Sequence, residues 1–343
     1  MARLISALVI LACTFGGVAG VPDAARAADF YAGKTLTMIV GNDVGGGFDA
    51  YARLFSRHLQ RVIPGHPTVV VQNMPGAGSA TAAAFVSRVA AKDGTFIGVL
   101  TPGAIVGPLF EEHGHMPYDP AKFIYLTSAD SGSRLCVTYQ SAKVKTVADA
   151  KEFKAIIGTA SVGSSSSDYA KLHRATSGLK FELVAGYKGT GDLLLAMERG
   201  EIDGFCGVDW SSLTSQRPNW LRDHQVNLLF QVGVKPNPEL AALNVPEASA
   251  STTSPENRAV LDLVTAQQVF SRPYIMAPGN PKEAVGILRA AFGGLYNDPQ
   301  FIADAERSKL MLAPASGAEV QDSVERLYQA PQAVVDKARD VLK

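Results

Sequence analysis

Net charge is absent from this chain: 32 lysines and arginines balance 32 aspartates and glutamates. No basic face supplies the footprint that nucleic-acid binding requires, and no acidic tail marks a solvating segment. Beyond the first residues, no apolar run is long enough to cross a bilayer. Catalytic signatures are also missing. A P-loop needs Gly-Lys-Ser/Thr at its end, and no glycine-rich stretch here has it. The helical H-E-x-x-H spacing that sets two imidazoles on one face does not occur. Neither a solenoid-period repeat nor a long low-complexity tract is present.

Cysteine is scarce, three residues in all. Cys13 falls in an amino-terminal stretch that reads as an export signal. Arg3 gives a short positive region, Leu4 to Val21 is mostly apolar, and Ala25-Arg26-Ala27 offers the small-x-small pattern of signal peptidase. Residues 1–27 are therefore expected to be removed, with export to the periplasm. Gly16, Gly17, Gly20 and Pro22 argue against a retained membrane anchor. Ile10-Leu11-Ala12-Cys13 roughly resembles a lipobox, but the apolar stretch before Cys13 is short and continues past it. Roughly 315 residues remain, enough for two domains. Their cysteines, Cys136 and Cys206, are either bridged in an oxidising compartment or two separate buried thiols. The sequence leaves both readings open.

Glycine is plentiful, and its placement is informative. Gly41-Asn42-Asp43-Val44-Gly45-Gly46-Gly47-Phe48-Asp49 follows the apolar run Thr35 to Val40. Asn73-Met74-Pro75-Gly76-Ala77-Gly78-Ser79 follows Thr68 to Val71. Each turn precedes a segment of helical spacing: Tyr51, Leu54, Phe55, Leu59 and Val62 after the first, small residues through Ala90 after the second. Asp49 sits where an N-cap or first-turn carboxylate would, and Ile63-Pro64-Gly65 stops the helix. Asp93-Gly94 then turns into a third strand, Thr95 to Leu100. This is a parallel α/β unit, whose strand carboxyl ends are where open sheets bind ligands. Helix N-termini with bare amides there favour anions.

A second unit follows. Strands are expected at Leu135 to Tyr139, Ala155 to Ala160, Phe181 to Ala185 and Ile202 to Cys206, with helices from Asp168 to Thr176 and Asp192 to Arg199. Leu228 to Val232 is placed as the return to the first domain. Domain I is thus drawn as 28–138 plus 228–343 and domain II as 139–227, with a cleft between them.

Several motifs admit a bland reading that outweighs the functional one. Gly45-Gly46-Gly47-Phe48-Asp49-Ala50 fits the dinucleotide fingerprint G-x-G-x-x-A, but Gln72-Asn73 replaces the acidic residue expected after strand two. Thr159-Ala160-Ser161-Val162-Gly163 lacks the first glycine of a nucleophile elbow, leaving a periplasmic serine hydrolase, with His173 as base, a distant alternative. Glu111-Glu112-His113-Gly114-His115 reads as a solvated loop, and His58 as structural. Trp210 is more often packing than platform, yet with Asp209 it stands at a strand end that lines the cleft.

The order of these motifs resembles the extracytoplasmic solute receptors of the tripartite tricarboxylate transporter family, also called Bug proteins. Gly45-Gly46-Gly47-Phe48-Asp49-Ala50-Tyr51-Ala52-Arg53 is similar to G-G-x-x-D-x-x-A-R, and Asn73 to Ser79 to N-x-x-G-A-G. Asp93-Gly94-Thr95, Tyr187-Lys188-Gly189-Thr190, Gly200-Glu201-Ile202-Asp203, Arg272-Pro273-Tyr274 and Pro278-Gly279-Asn280-Pro281 continue the match along most of the mature chain. It departs at Asn42-Asp43-Val44, where the family has proline and an aromatic residue, and at Gly186, where the family has proline.

The resemblance implies a two-lobed type II periplasmic-binding-protein fold that closes on a small carboxylate. It implies ligand contacts at Val44, Gly45, Gly46, Gly47, Gly76, Ala77, Gly78, Ser79 and Thr101 of the first lobe, and at Ser161, Gly163, Ser164 and Ser165 of the second. Asp209 and Trp210 join them by their strand-end position. The implied protein is a non-enzymatic monomer that needs no cofactor or metal and delivers its ligand to a membrane permease. A receptor that signals to a sensor kinase would use the same binding chemistry.

Overall fold

The computed structural model describes residues 30–110, 116–160, 164–233 and 237–343. The first lobe begins with β1 (Thr35–Val40), α1 (Gly47–Val62), β2 (Thr68–Asn73), α2 (Ala80–Arg88), β3 (Phe96–Val99), α3 (Pro102–Phe110) and β4 (Ile124–Ser128). Each strand is read off its burial. β1 lies inside the sheet, with Leu36, Met38 and Val40 packed on one face and Ile39 on the other. β2 is an edge strand and alternates between exposed and partly buried residues. In α1, Tyr51, Leu54, Phe55 and Leu59 face the core, while Arg57 and Arg61 reach Asp304 and Asp298. His58 joins that array through Asp304 at 3.0 Å, a structural role.

Residues 129–133 cross to the second lobe. There follow β5 (Arg134–Tyr139), α4 (Val147–Glu152), β6 (Ala155–Thr159), α5 (Ser165–Ser177), β7 (Phe181–Ala185) and α6 (Thr190–Glu198). β8 (Gly204–Asp209), α7 (Trp210–Gln216) and β9 (Val226–Val232) complete its sheet. The chain returns through α8 (Pro238–Ala242) and α9 (Pro255–Thr265) to β10 (Pro273–Met276). It ends with α10 (Lys282–Leu295), α11 (Pro299–Arg307), β11 (Ala315–Ser316), α12 (Gly317–Tyr328) and α13 (Gln332–Leu342).

The first sheet has the order β11-β4-β10-β3-β1-β2 and the second β7-β6-β8-β5-β9. The α/β class is as expected, but neither sheet is wholly parallel. β10 runs antiparallel to both β3 and β4, and β5 runs antiparallel to both β8 and β9. Sheet membership also moves the domain limits. β5 and β9 belong to the second sheet, so the sheets divide within 129–133 and after Val232, not at 138 and 228. An apolar run shows that a strand is buried but not which sheet it joins, and that is settled by pairing. β8 likewise ends later than expected, at Asp209, because a bulge at Gly207 (φ 76°) lets it run on past Cys206.

Register puts the carboxyl ends of β1, β2 and β3 on the side of the crossover, since Ser128 pairs with Pro273 and Tyr274 with Val99. The carboxyl ends of β6 and β8 meet the crossover from the other lobe, with Asp209 opposite Arg134. One hydrophobic cluster runs through both lobes behind the crossover. It joins Tyr125 and Ile275 of the first sheet to Ile157 and Phe230 of the second, through α5, α9, α12 and α13. The opposite side of the crossover is open.

Cys136 and Cys206 are register partners on β5 and β8, wholly buried, and joined as a disulfide that closes a separation of 70 residues. The bridge ties the strand that leads into the second lobe to its neighbour in the same sheet. Peptide mapping of exported protein without reductant should yield one linked Cys136–Cys206 fragment. Reduction or a double Cys→Ala variant should lower unfolding stability by about 2–4 kcal/mol. Two alkylatable thiols in native protein would contradict this.

Candidate functional site

Three strand ends of the first lobe are stitched together by buried polar side chains. Asp49, in the first turn of α1, is 2% exposed. Its carboxylate accepts the Gly45 amide at 2.9 Å, Arg53 Nε at 2.9 Å and Asn73 Nδ2 at 3.0 Å. Asn73 also donates to the Asn42 carbonyl at 2.9 Å, so the ends of β1 and β2 are bound through one carboxylate and one amide. Burial alone would raise the Asp49 pKa. The hydrogen bonds from Arg53, Gly45 and Asn73 outweigh it and hold the carboxyl below its ordinary range.

Ser79 makes the third link. Its hydroxyl donates to the Gly41 carbonyl at 3.0 Å and accepts the Thr101 amide at 3.1 Å. A side chain on Gly41 would collide with Ser79, so glycine is required there. Thr101 Oγ1 in turn donates to the Gly78 carbonyl at 2.7 Å. Gly76, Ala77, Gly78 and Ser79 all have positive φ, a left-handed turn that is costly for alanine and serine. The hydroxyl network holds it in place.

Above these buried staples the turns themselves are open. Val44 is 70% exposed, and Gly45 to Gly47 and Gly76 to Gly78 are exposed with it. Gly46 is the N-cap of α1 and supplies no side-chain cap. The amides of the first turn of α1 therefore end the helix with no side-chain acceptor, an arrangement that attracts anions.

The second lobe faces this edge with α5. Ser164 caps that helix by accepting the Ser167 amide at 3.4 Å, and Ser166 Oγ accepts the Ala160 amide at 2.9 Å. The bulge at Gly207 brings β8 against the Ser165 carbonyl, where a side chain would clash. Asp209 Oδ1 then meets Arg134 Nε at 3.3 Å. Trp210 is buried and donates its indole N–H to Glu239.

Between the lobes lies a cavity of about 470 Å³. It is lined by Ser131 to Ser133 of the crossover, Asp209 to Ser211, Asn237 to Glu239, and Met311, Ala313 and Pro314. Asp130 stands beside it, buried, accepting the Gly132 amide at 2.8 Å. Desolvation and then the charge of Asp209 push its pKa up to about 6, against the opposing pull of Arg272 and Arg134. The Arg272 guanidinium lies 4.4 Å from the Phe48 ring centre and 5.4 Å from that of Tyr51.

No protein-family model matches the chain. A curated protein of Agrobacterium vitis, described as a UPF0065 protein in the TAR-I ttuE-ttuC' intergenic region, is 27% identical over 228 residues, covering 63% of this chain and 63% of that protein. Among solved structures, a TctC solute-binding protein from Polaromonas gives a TM-score of 0.69 at 19% identity, covering 90% of this chain and 99% of that one. An R. palustris protein solved with adipate gives 0.61 at 20% identity, covering 89% and 97%. The fold is that of the TctC solute-binding proteins.

Within this TctC-type fold, the residues singled out from sequence fall into distinct groups. Val44 to Gly47 and Gly76 to Gly78 lie exposed at one open edge. Ser79 and Thr101 are at that edge too, but their hydroxyls bind the turns together. Ser164 is spent as a helix cap, and Ser165 is partly buried beside it. Asp209 and Trp210 line the cavity, tied to Arg134 and Glu239. Ser161 and Gly163 lie outside the described residues, as do residues 1–27 and the Glu111–His115 cluster.

His173 is no base for cleft chemistry. It is 1% exposed, packed 4.4 Å from Phe230, and desolvation pushes its pKa down to about 3. Trp220 is core. Among the described residues no group of three or more metal-ligating side chains comes together, and no helix is long and apolar enough to cross a membrane. Asp130, Arg134 and Arg272 were not anticipated as site residues. Arg272 was quoted only as part of a motif, although a charge directly before an apolar strand is itself a signal.

Asp49→Ala should lower folding stability by about 2–4 kcal/mol at pH 7, since it leaves three donors without their acceptor. The folded carboxyl titrates below its unfolded value, so this contribution is full above about pH 4 and is lost as pH falls through the folded value. Denaturant melts of wild type and variant should differ at pH 7 and converge in acid. A constant gap across that range would contradict the role given to the charge.

Proposed function

We propose that this protein is an extracytoplasmic solute receptor that captures a small organic carboxylate and delivers it to a tripartite tricarboxylate-type permease. The observation that carries the reading is the uncapped start of α1. Its amides stand at the open strand edge, presented by glycines and held by the buried Asp49 and Ser79 networks. A carboxylate there would supply the missing acceptors and meet the favourable end of the helix dipole. Closure of the second lobe over the cavity would then exclude water. The adipate held by the R. palustris protein of like fold supports the ligand class. The role is binding and release without turnover, in the periplasm, after removal of residues 1–27.

Gly46→Asp tests this. Gly46 has φ −75° and ψ 169°, open to any residue, and a β-carbon would lie 3.4 Å from the Asp43 carbonyl. An aspartate at this N-cap should hold α1 as well as glycine or slightly better, by up to about 1 kcal/mol. The same carboxylate would occupy the anion position. Affinity for the bound carboxylate should fall by about 2–4 kcal/mol, some tens to several hundredfold. Titration calorimetry with thermal melts reads both effects. Unchanged affinity in a folded variant would place the anion elsewhere.

A further inference from the structure

Arg272 is a cation without an anion. Its Nε is buried and has no hydrogen-bond partner. Among the described residues no carboxylate lies within ion-pair distance of its guanidinium. It is held instead against the rings of Phe48 and Tyr51 of α1. The Tyr51 hydroxyl is itself committed as a donor to the Met311 carbonyl. A β-carbon on Gly47 would sit 3.4 Å from Arg272 Nη2, so the guanidinium lies beside the glycine turn. Two positive features, a bare helix start and a full charge, are thus side by side.

That arrangement is electrostatically unfavourable on its own. Asp49, in the first turn of α1, offsets part of it, but that charge is shared with Gly45, Arg53 and Asn73. Asp130 in the crossover interacts with Arg272 as a charge at a distance. Facing Asp130 are Asp209 and Arg134 from the second lobe, Arg272, Tyr51 of α1 and Tyr296 of α10.

We propose that Arg272 is the specificity-determining residue of the cleft, reading the full negative charge of the ligand's carboxylate beside the Gly45–Gly47 turn, with Asp130 as its competing counter-charge. This rests on the receptor reading and sharpens it. Amides donate to a neutral carbonyl as well as to an anion, with a preference for the anion, and an unpaired guanidinium adds a full charge that sharpens that preference. An anion seated there would use the fork that Asp130 only partly balances.

The test begins with a thermal-shift panel of four- to eight-carbon mono- and dicarboxylates on the mature wild-type protein. The best binder and its uncharged amide analogue are then titrated by calorimetry into wild type, R272Q, R272K and D130N. Expected is a 30- to 300-fold loss in R272Q for the carboxylate, little change for the amide analogue, and an intermediate loss in R272K. D130N keeps an acceptor for the Gly132 amide but removes the competing charge. It should bind two- to fivefold tighter than wild type at pH 8 and equally at pH 5, where Asp130 is already neutral. If wild type binds a carboxylate and folded R272Q retains that affinity within threefold, Arg272 is only a packing residue and this inference is overturned while the receptor reading stands. If no carboxylate in the panel binds wild type, the receptor reading itself fails, and this inference with it.

Discussion

The Asp49 carboxylate is the point on which the first lobe's edge depends. One buried charge takes hydrogen bonds from the loop after β1, from the helix it begins and from the end of β2. A charge that is removed from water must be saturated, and these donors saturate it. In doing so they fix the turn geometry while using only the Gly45 amide from the open side. Ser79, from the turn after β2, does the same for the first and third strand ends with a neutral hydroxyl. The exposed backbone is rigid because the side chains beneath it are fully engaged.

Helix starts are capped unevenly. α4 and α12 have complete capping boxes, and α8, α9 and α11 are capped by Asn237, Ser254 and Asp298, whereas α10 and α13 begin behind prolines without a side-chain cap. At the strand carboxyl ends, α1, α2, α6 and α7 begin without a side-chain cap. Glycine in place of a side-chain cap costs about a few tenths of a kcal/mol. Of these starts, α1 and α2 share the first lobe's open edge, where an external acceptor would complete them. α5 is the exception, its start closed by Ser164.

Much of this edge was legible in the sequence because glycine has few structural excuses. Gly41 is forced by the approach of Ser79, and the left-handed run from Gly76 to Ser79 needs glycines at two of its four positions. Asp49 was placed in the first turn by spacing alone. What spacing does not encode is pairing. Strands β5 and β9 read as members of the first domain, yet hydrogen bonding puts them in the second sheet. For the same reason the charges at the cleft floor were missed. Asp130 and Arg134 lie four residues apart, but Arg272 is far from both in the chain and meets them only because three strand ends converge on the crossover. Trp210 was placed at the cleft by its strand-end position, but its partner, Glu239, is 29 residues away.

The central claim is that the ligand's carboxylate completes the uncapped start of α1. A crystal structure of the protein with its tightest-binding carboxylate tests it most directly. The account predicts a carboxylate oxygen within 2.7–3.2 Å of the amide nitrogens of Gly47 and Phe48, as ordinary hydrogen-bond geometry requires. A ligand seated wholly in the cavity beside Trp210 and Met311, with the α1 amides still facing solvent, would contradict it.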